Sequence, residues 1–233
     1  MSALALFARA IPAAPKGIDL RCCGVDDLLP TLEGQSFDLV VADPPWTYEN
    51  TGNRGNADDQ YATLTIADIR GHLASTVVSA KPGARLLVWT TWPLLTEWQE
   101  EARQMKEWTY KTGGSWHKQR ASPGIGYHLL GSSEPFLVYR NRGSEPCFTD
   151  RQELTHNGHA SVPGAHSEKP VDYYRELLRR WVPPGGRVLE IYAGLGPLAR
   201  ACHAEGRQYV GCEIDQDRHA TALTRLRQGI GVS

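Results

Sequence analysis

Four consecutive residues, Asp43, Pro44, Pro45 and Trp46, combine the groups that recognition of an exocyclic amine requires. The lone pair of a base amine is delocalised into the ring, so its nitrogen is a poor nucleophile. The carboxylate of Asp43 and the backbone carbonyl of Pro44 can accept both N–H hydrogens and draw that nitrogen toward tetrahedral geometry. The prolines stiffen the loop, and Trp46 offers a flat face on which a purine can stack. The segment predicts methyl transfer to an amine, the alternative being an Asp-Pro turn beside a buried tryptophan.

The surrounding elements predict where this segment lies. The apolar run 37–42 indicates a buried parallel strand, whose end is the usual ligand-binding edge of an open α/β sheet. Strands alternate with helices along the chain, which indicates a mostly parallel sheet with helices on both faces. The predicted strands are 18–23, 37–42, 85–90, 109–116, 135–140, 187–192 and 208–213, and the predicted helices are 66–80, 94–107, 172–181, 198–205 and 216–227.

A second group of residues, near the carboxyl terminus, is typical of a site for a nucleoside-bearing cofactor. Gly194 and Gly196, between a predicted strand and a helix, let the backbone approach a ligand closely. Glu213, at the end of the next strand, can accept both hydroxyls of a ribose. A third glycine is missing at the usual position and Pro197 opens the helix, which fits a cofactor without phosphates, such as S-adenosylmethionine. Taken alone, this stretch fits any Rossmann-like unit.

The composition is that of an ordinary globular protein. The chain has 233 residues, 41% hydrophobic and 22% charged, enough for one sizeable α/β domain. Its net charge of −1 gives no global attraction to nucleic acid, so binding of DNA or RNA needs a local basic patch. No stretch approaches the ~20 apolar residues of a membrane span. We expect a cytoplasmic protein with a flexible tail over residues 1–17.

The spacing of cysteine and histidine indicates neither disulfides nor a metal site. No CxxC pair occurs, and we expect the cysteines to be buried free thiols of a reducing compartment. His156 and His159 have no cysteine partner at ligand spacing, so no metal is expected. The five cysteines are Cys22, Cys23, Cys147, Cys202 and Cys212.

The order of the motifs carries a family resemblance. The Asp-Pro-Pro-Trp segment comes first, and Lys169-Pro170, the run 183–190 and the glycine turn come last. Together with the segments 61–64, 87–91, 115–118 and 133–135, they resemble the adenine N6-methyltransferases. The similarity is to the class that joins the eukaryotic mRNA adenosine methylase to bacterial and phage enzymes. It runs from about Asp19 to Arg227, nearly the whole chain.

The resemblance implies a Rossmann-like, S-adenosylmethionine-dependent methyltransferase fold that is circularly permuted. The fold has a mostly parallel seven-stranded sheet with helices on both faces, and strand 18–23 would join it from the amino terminus. It would form a single domain over 18–233, with a catalytic half (18–140), a variable loop region (141–165) and a cofactor-binding half (166–233).

The resemblance also implies an activity. The expected reaction is direct in-line transfer of a methyl group from S-adenosylmethionine to N6 of adenine in DNA, with the base flipped out. The same reaction on RNA adenosine and a non-catalytic nucleic-acid-binding subunit are the alternatives. Glu190-Ile191-Tyr192 is closer to the mRNA type, whereas 211–215 is closer to the DNA type. Cytosine N4 methylases usually have Ser in place of Asp43.

The expected site residues fall into three groups. Lys169 and Ser167 would meet the methionine carboxylate, and Asp26 or Asp27 would lie near the cofactor adenine. The catalytic residues are Asp43, Pro44, Pro45 and Trp46, and the cofactor-binding residues are Asp26, Asp27, Asp43, Ser167, Lys169, Glu190, Tyr192, Ala193, Gly194, Gly196, Glu213 and Ile214. The substrate-binding residues are Tyr48, Arg54, Tyr61, Lys118 and Arg120.

The expected partner is nucleic acid, DNA rather than RNA, and not a membrane. Because no separate recognition domain is visible, we expect a short recognition site, weak specificity, or a homodimer or partner subunit. Arg54, Lys118 and Arg120 would contact phosphates, which position the substrate without reading its sequence. Tyr48 and Tyr61 flank the loop after the Asp-Pro-Pro-Trp segment and are expected to close over the base.

Overall fold

The computed structural model describes residues 13–47, 63–118, 133–141, 156–158 and 168–228. The strands in these segments are β1 (Ile18–Cys22), β2 (Phe37–Ala42), β3 (Ala80–Trp89), β4 (Thr109–Lys118), β5 (Ser133–Arg140), β6 (His156–Gly158), β7 (Arg187–Ile191) and β8 (Gln208–Glu213). The helices are α1 (Val25–Leu28), α2 (Ile66–Ser75), α3 (Leu95–Ala102), α4 (Val171–Trp181), α5 (Pro197–Ala204) and α6 (Gln216–Gln228), with 3-10 turns at Leu29–Leu32 and Thr76–Ser79.

The predicted mostly parallel sheet is confirmed, with one short strand added. The strand order is β1-β8-β7-β2-β3-β5-β4-β6. Neighbours from β1 to β3 pair in parallel, and β5 runs antiparallel to both β3 and β4. The added strand, β6, has three residues and pairs in parallel with β4. It lies within 141–165, where no periodicity in the sequence indicated a strand.

The amino-terminal strand takes the place that the sequence predicted for it. β1 pairs in parallel with β8, from Ile18 opposite Tyr209 to Cys22 opposite Glu213. The carboxyl ends of β1, β8, β7, β2 and β3 therefore lie along one edge of the sheet. Residues that follow these strands can converge there although they are distant in the sequence. The division of the chain into a tail, two halves and a variable region stays a prediction.

Helices cover both faces of the sheet, as the alternating pattern predicted. Successive strand residues point to opposite faces, so Val188 belongs to one core and Leu189 to the other. The first core receives the buried residues of α4, α5 and α6, and the second receives those of α1, α2 and α3. The site edge is thus supported by two packed layers of helix.

Two predicted helix ends and the predicted start of one strand are wrong. α2 and α3 are shorter than predicted, ending at Ser75 and Ala102. The segment Lys81-Pro82-Gly83 lies inside β3 as a bulge, because the register jumps from Phe37 opposite Ala80 to Leu39 opposite Arg85. Proline cannot donate to the ladder, and Gly83 adopts a φ of 83°. The strand predicted over 85–90 therefore begins at Ala80, ahead of this bulge.

The thiols are only partly as expected. Cys202 and Cys212 are buried and free, and burial raises the pKa of the Cys212 thiol to about 12. Cys22 is exposed and Cys23 is half-buried, so the expectation of burial is wrong for this pair. Cys147 lies outside the described residues. Within those residues, no group of three or more His, Cys, Asp or Glu side chains could hold a metal ion, and no helix could cross a membrane.

A substitution in β8 tests the packing of the strands below the site. A Cβ at Gly211 would lie 2.6 Å from Cζ of Tyr209, whose ring is buried in the core. We expect Gly211→Ala to lower the free energy of unfolding by about 2 kcal/mol through overpacking. Gly71→Ala is the control, because Gly71 lies in α2 with open space around it, and should stabilise by about 0.5–1 kcal/mol. Urea unfolding of both variants measures the difference, and equal effects would contradict this packing.

Candidate active site

Lys169 is a buried cation at the centre of the candidate site. Its ammonium lies 2.6 Å from Oδ2 of Asp43 and 3.1 Å from Oε2 of Glu134, and its side chain is 4% exposed. The side chain of Asp43 is 33% exposed and that of Glu134 is 17% exposed. Because a buried charge needs charged or hydrogen-bonding partners, the two carboxylates hold Lys169 in place. Asp43 in turn is anchored while still reaching solvent.

The charge of Lys169 is maintained by its surroundings. Burial acts to lower the pKa of Lys169, but the carboxylates of Asp43 and Glu134 outweigh burial and raise the pKa above its ordinary value. The ammonium also lies 5.0 Å from the centre of the Trp89 ring, within the range of cation–π attraction. Lys169 therefore stays protonated at neutral pH. The sequence predicted a contact with the cofactor, which stays a prediction beside the observed pairing with Asp43.

Three chain segments meet at this cation. β2 ends at Ala42, so Asp43 leaves the sheet at its carboxyl edge. β5 is antiparallel, so its first residues reach the same edge, where the amide of Thr90 donates to the carbonyl of Pro135. Lys169 lies just before α4. Glu134 was not predicted as a site residue, since a residue that opens a strand reaches this edge only if the strand is antiparallel.

The Asp-Pro-Pro-Trp segment forms a tight loop tied to the residues before α2. The carbonyl of Pro44 accepts a hydrogen bond from the amide of Trp46, 2.9 Å away, and that of Pro45 accepts one from the amide of Leu64. Trp46 and Leu64 also form a parallel bridge. A carbonyl oxygen has two lone pairs, so Pro44 retains capacity for one more donor.

The expectation that Trp46 offers an open face to a base is wrong. Its side chain is buried, its indole N–H donates to the carbonyl of Trp89 at 3.2 Å, and its ring packs edge-to-face on Trp98 at 5.6 Å. The apolar strand and helix residues around it make the core the favourable place for a large aromatic side chain. Trp46 supports the loop from below, as the alternative interpretation of the sequence allowed.

The glycine turn after β7 is organised by Glu213. The amide of Gly194 donates to Oε2 of Glu213 at 2.7 Å, and the amide of Asp215 donates to Oε1 at 2.8 Å. Gly196 has a φ of 73°, and a Cβ there would lie 3.0 Å from Cβ of Ala222. A glycine is therefore required at this position by both the backbone conformation and the packing of α6.

The residues around this turn fit a nucleoside cofactor. Gly194 has open space where a Cβ would be, and Ile214 is 78% exposed beside it in the sequence, available as an apolar face for a base. Each oxygen of Glu213 can accept a further hydrogen bond from a ribose hydroxyl. Ala193 is buried, and its amide donates to the carbonyl of Cys212, which fixes the turn against β8.

Glu190 lies within the core below the turn. It is 2% exposed, and the hydroxyl of Tyr209 donates to its Oε2 at 2.6 Å. Burial raises the pKa of Glu190 well above its ordinary value, although the hydrogen bond from Tyr209 acts against that shift. The observed partner of Glu190 is thus a core tyrosine, and its expected contact with the cofactor stays a prediction.

A histidine that the sequence did not single out, His72, lies between Asp26 and Tyr192, two of the predicted cofactor residues. Asp26 and Asp27 lie in the first turn of α1, directly after β1 at the site edge. Nε2 of His72, in α2, lies 3.3 Å from Oδ1 of Asp26, and its Nδ1 lies 2.6 Å from Oη of Tyr192. A histidine in the middle of a predicted amphipathic helix carries no local signal of such a role.

Several predicted residues lie outside the described part of the chain. They are Tyr48, Arg54, Tyr61, Arg120 and Ser167. The backbone of Lys118 ends β4, and its side chain is not described. These substrate and cofactor contacts stay predictions.

The chain, with its acidic loop after β2 and its glycine turn after β7, is similar to a class of nucleic-acid-modifying enzymes. The chain belongs to the DNA methylase family of the N6/N4 type, whose model matches residues 37–224. A curated relative, the Type II methyltransferase M.XycI of Xanthomonas campestris pv. cyanopsidis, is 26% identical over 194 residues, which are 76% of this chain. The match spans 61% of that relative's length.

Solved structures share the fold at low sequence identity. The M1.HpyAVI–SAM complex is 14% identical with a TM-score of 0.70, and the match covers 90% of this chain and 98% of that one. The PvuII DNA methyltransferase, described as cytosine-N4-specific, is 12% identical with a TM-score of 0.67, and the match covers 94% of this chain and 91% of that one. Both similarities confirm the α/β methyltransferase fold.

Removal of the central cation tests its structural role. We expect Lys169→Met to lower the free energy of unfolding by about 3 kcal/mol, because it removes the buried ion pairs that Asp43 and Glu134 make with Lys169. Lys81→Met is the matched control, since Lys81 pairs with Asp38 at 2.7 Å but is 39% exposed, and should cost less than about 1 kcal/mol. Urea unfolding at neutral pH compares the two. Equal losses of unfolding free energy in the two variants would show that burial of Lys169 does not make its ion pairs more stabilising.

Proposed function

We propose that this protein transfers a methyl group from S-adenosylmethionine to the exocyclic N6 of adenine in DNA. The observation that carries the proposal is the register of the two central strands. Ala42 of β2 lies opposite Ile191 of β7, so the next residues, Asp43 and Tyr192, leave the sheet side by side. The acidic loop for an amine and the glycine turn for a cofactor therefore open at the same point of the edge.

The proposed cofactor would lie along the glycine turn. Gly194 allows close approach of the backbone, Glu213 would accept the ribose hydroxyls, and Ile214 would pack on the adenine ring. Asp27, which is exposed at the start of α1, would lie near the adenine. When bound, S-adenosylmethionine supplies a methyl group on a positively charged sulfur. The M1.HpyAVI neighbour carries S-adenosylmethionine in the complex named above, which supports the same ligand here.

The chain's own residues would orient the amine and receive its proton. Asp43 and the Pro44 carbonyl accept the two N–H hydrogens, which directs the nitrogen lone pair at the methyl carbon. The new N–C bond forms as the S–C bond breaks with its electron pair going to sulfur, and the proton then passes to Asp43 or water. Alignment of this kind can supply roughly 7–11 kcal/mol of the barrier reduction. No metal is required by this chemistry.

Adenine is favoured over cytosine by the residue at position 43. The family includes N4-type enzymes, and one structural neighbour is cytosine-specific. The resemblance described above places Ser in such enzymes where this chain has Asp43, and a carboxylate accepts an amine hydrogen more strongly than a hydroxyl. The intact carboxylate also argues against a subunit that only binds nucleic acid. Transfer to RNA is the second candidate, since Glu190-Ile191-Tyr192 resembles the mRNA type.

Trp92 replaces Trp46 as the aromatic ring available to a base. It follows β3 at the site edge, is 53% exposed, and its indole N–H donates to Oγ of Ser133 at 3.1 Å. Ser133 precedes Glu134, a partner of Lys169. An ordered, half-exposed indole beside the proposed site can stack on an extruded or flanking base, a contact that any base can make.

The central test is the product formed on each polymer. We expect the protein, incubated with S-adenosylmethionine and unmethylated DNA, to yield N6-methyldeoxyadenosine, identified by mass spectrometry of digested nucleosides. Asp43→Asn keeps the shape but weakens acceptance of the amine hydrogen, and should slow transfer roughly 10²–10⁴-fold. Asp19→Asn is the control, because Asp19 is 48% exposed near the start of β1, at the end of the strand opposite the site.

The other products decide between the alternatives. N4-methyldeoxycytidine would overturn the adenine assignment, and methyladenosine formed only on RNA would overturn DNA. Binding of S-adenosylmethionine without transfer to either polymer would favour the subunit without catalysis.

Substitution of Trp92 tests the proposed stacking face. Loss of a base–aromatic stack is worth ~1–3 kcal/mol, so Trp92→Ala should raise the KM for DNA about tenfold or more, with the KM for S-adenosylmethionine unchanged. Tyr110→Ala is the matched control, because Tyr110 is 49% exposed at the start of β4, at the opposite edge of the sheet. Equal effects of the two substitutions on the KM for DNA would refute a specific role for Trp92.

A further inference from the structure

Tyr192 has an unusual backbone conformation at the junction of the two motifs. Its φ is 72°, the single positive value for a residue other than glycine in the described segments. A side chain with a Cβ is strained in this left-handed region, so surrounding contacts must hold it there. Tyr192 ends the run from β7 into the glycine turn, and its strain is therefore located where the cofactor would bind.

His72 provides the contacts that hold the Tyr192 side chain. The Tyr192 hydroxyl lies 2.6 Å from Nδ1 of His72, and the two rings lie 6.1 Å apart at an interplanar angle of 42°. The other ring nitrogen, Nε2, lies 3.3 Å from the carboxylate of Asp26. The side chain of His72 is 18% exposed, which makes its bond to Tyr192 stronger than it would be in open water, whereas Asp26 is 88% exposed and its contact with His72 is screened by solvent.

The neighbours of His72 define the direction of its hydrogen bonds. The acceptor-only carboxylate of Asp26, 3.3 Å from Nε2, favours the ring form with its hydrogen on Nε2, although the contact is an ion-pair distance and not a hydrogen bond. Nδ1 is then an acceptor, and the Tyr192 hydroxyl donates to it. Burial raises the pKa of Tyr192 above its ordinary value, so this hydroxyl keeps its hydrogen. One directed hydrogen bond therefore runs from Tyr192 to His72, and Asp26 lies beside the other ring nitrogen.

The same helix that carries His72 is tied to the acidic loop. α2 begins after Thr65, which forms a capping box with Asp68. The amide of Leu64, one residue earlier, donates to the carbonyl of Pro45, and Leu64 forms a parallel bridge with Trp46. His72 is therefore held at a fixed distance from the loop that carries Asp43, because helix geometry is rigid over two turns.

We propose that His72 is a positioning residue for the cofactor: by holding the Tyr192 side chain, it fixes the strained backbone from which the Gly194 amide faces Glu213. Without it, Tyr192 relaxes toward negative φ, and the following peptide groups turn away from Glu213. The inference rests on the proposed function, because the ligand of this turn is the proposed S-adenosylmethionine. It assigns His72 a role although the side chain need not touch the ligand.

A double-mutant cycle tests this inference on the intact chain. The Kd for S-adenosylmethionine is measured by calorimetry for the wild type, His72→Ala, Tyr192→Phe and the double variant. Each single change removes the same hydrogen bond and should weaken binding about fivefold. The double variant should bind no more weakly than either single variant, because there is one interaction to lose. Additive losses, or an unchanged Kd in His72→Ala, would overturn the proposal.

A glycine background separates positioning from a general loss of stability. Glycine adopts the left-handed conformation without strain, so His72→Ala added to Tyr192→Gly should change the Kd by less than about twofold. A fivefold loss in that background would show that His72 acts otherwise and would overturn the proposal. His203→Ala, an exposed histidine on α5, should leave the Kd unchanged. Absence of binding by the wild type would instead refute the proposed cofactor itself, and this inference with it.

Discussion

The structure of the site depends on one buried cation. Lys169 is almost wholly removed from water, and such a charge is tolerated only where carboxylates compensate for lost hydration. Its partners come from the end of β2 and the start of β5, and it lies itself at the entrance to α4. Asp43 and Lys169 are 126 residues apart in the sequence. Their ion pair therefore links distant segments of the chain and does not merely stabilise a local turn. The ion pair with the buried Lys169 thereby holds Asp43 at the edge of the sheet.

The sequence predicted what depends on local pattern. Apolar runs predicted the strands that lead to Asp43, Tyr192 and Glu213. The alternation of strands with helices predicted that the carboxyl ends of these strands share one edge. The amino-terminal strand beside β8 followed from the motif order. Each of these inferences needs only neighbouring residues and the rule that parallel strands end together.

What the sequence could not predict depends on strand direction and on contacts between distant segments. Glu134 reaches the edge because β5 is antiparallel, and nothing in the run 133–140 shows direction. Trp46 ends the loop motif, and its ring could either stack on a base or pack in the core. Its burial depends on Trp98, which lies in a helix about fifty residues later in the sequence. His72 acquires partners only when α2, α1 and the glycine turn meet. The positive φ of Tyr192 is equally hidden, because tyrosine has no preference for that conformation.

The balance of charge at the edge bears on which ligand the site accepts. Three carboxylates lie at the edge, Asp43, Glu134 and Glu213, and a fourth, Glu190, lies in the core below it. Lys169 pairs with the first two, burial favours the neutral form of Glu190, and backbone amides serve Glu213. Among the described residues, Lys169 is the one lysine that pairs with these acids, and this excess of acidic groups disfavours a phosphate-bearing cofactor and favours a cationic one. The sulfonium of the proposed S-adenosylmethionine meets that condition, and its charge is lost as the methyl group leaves.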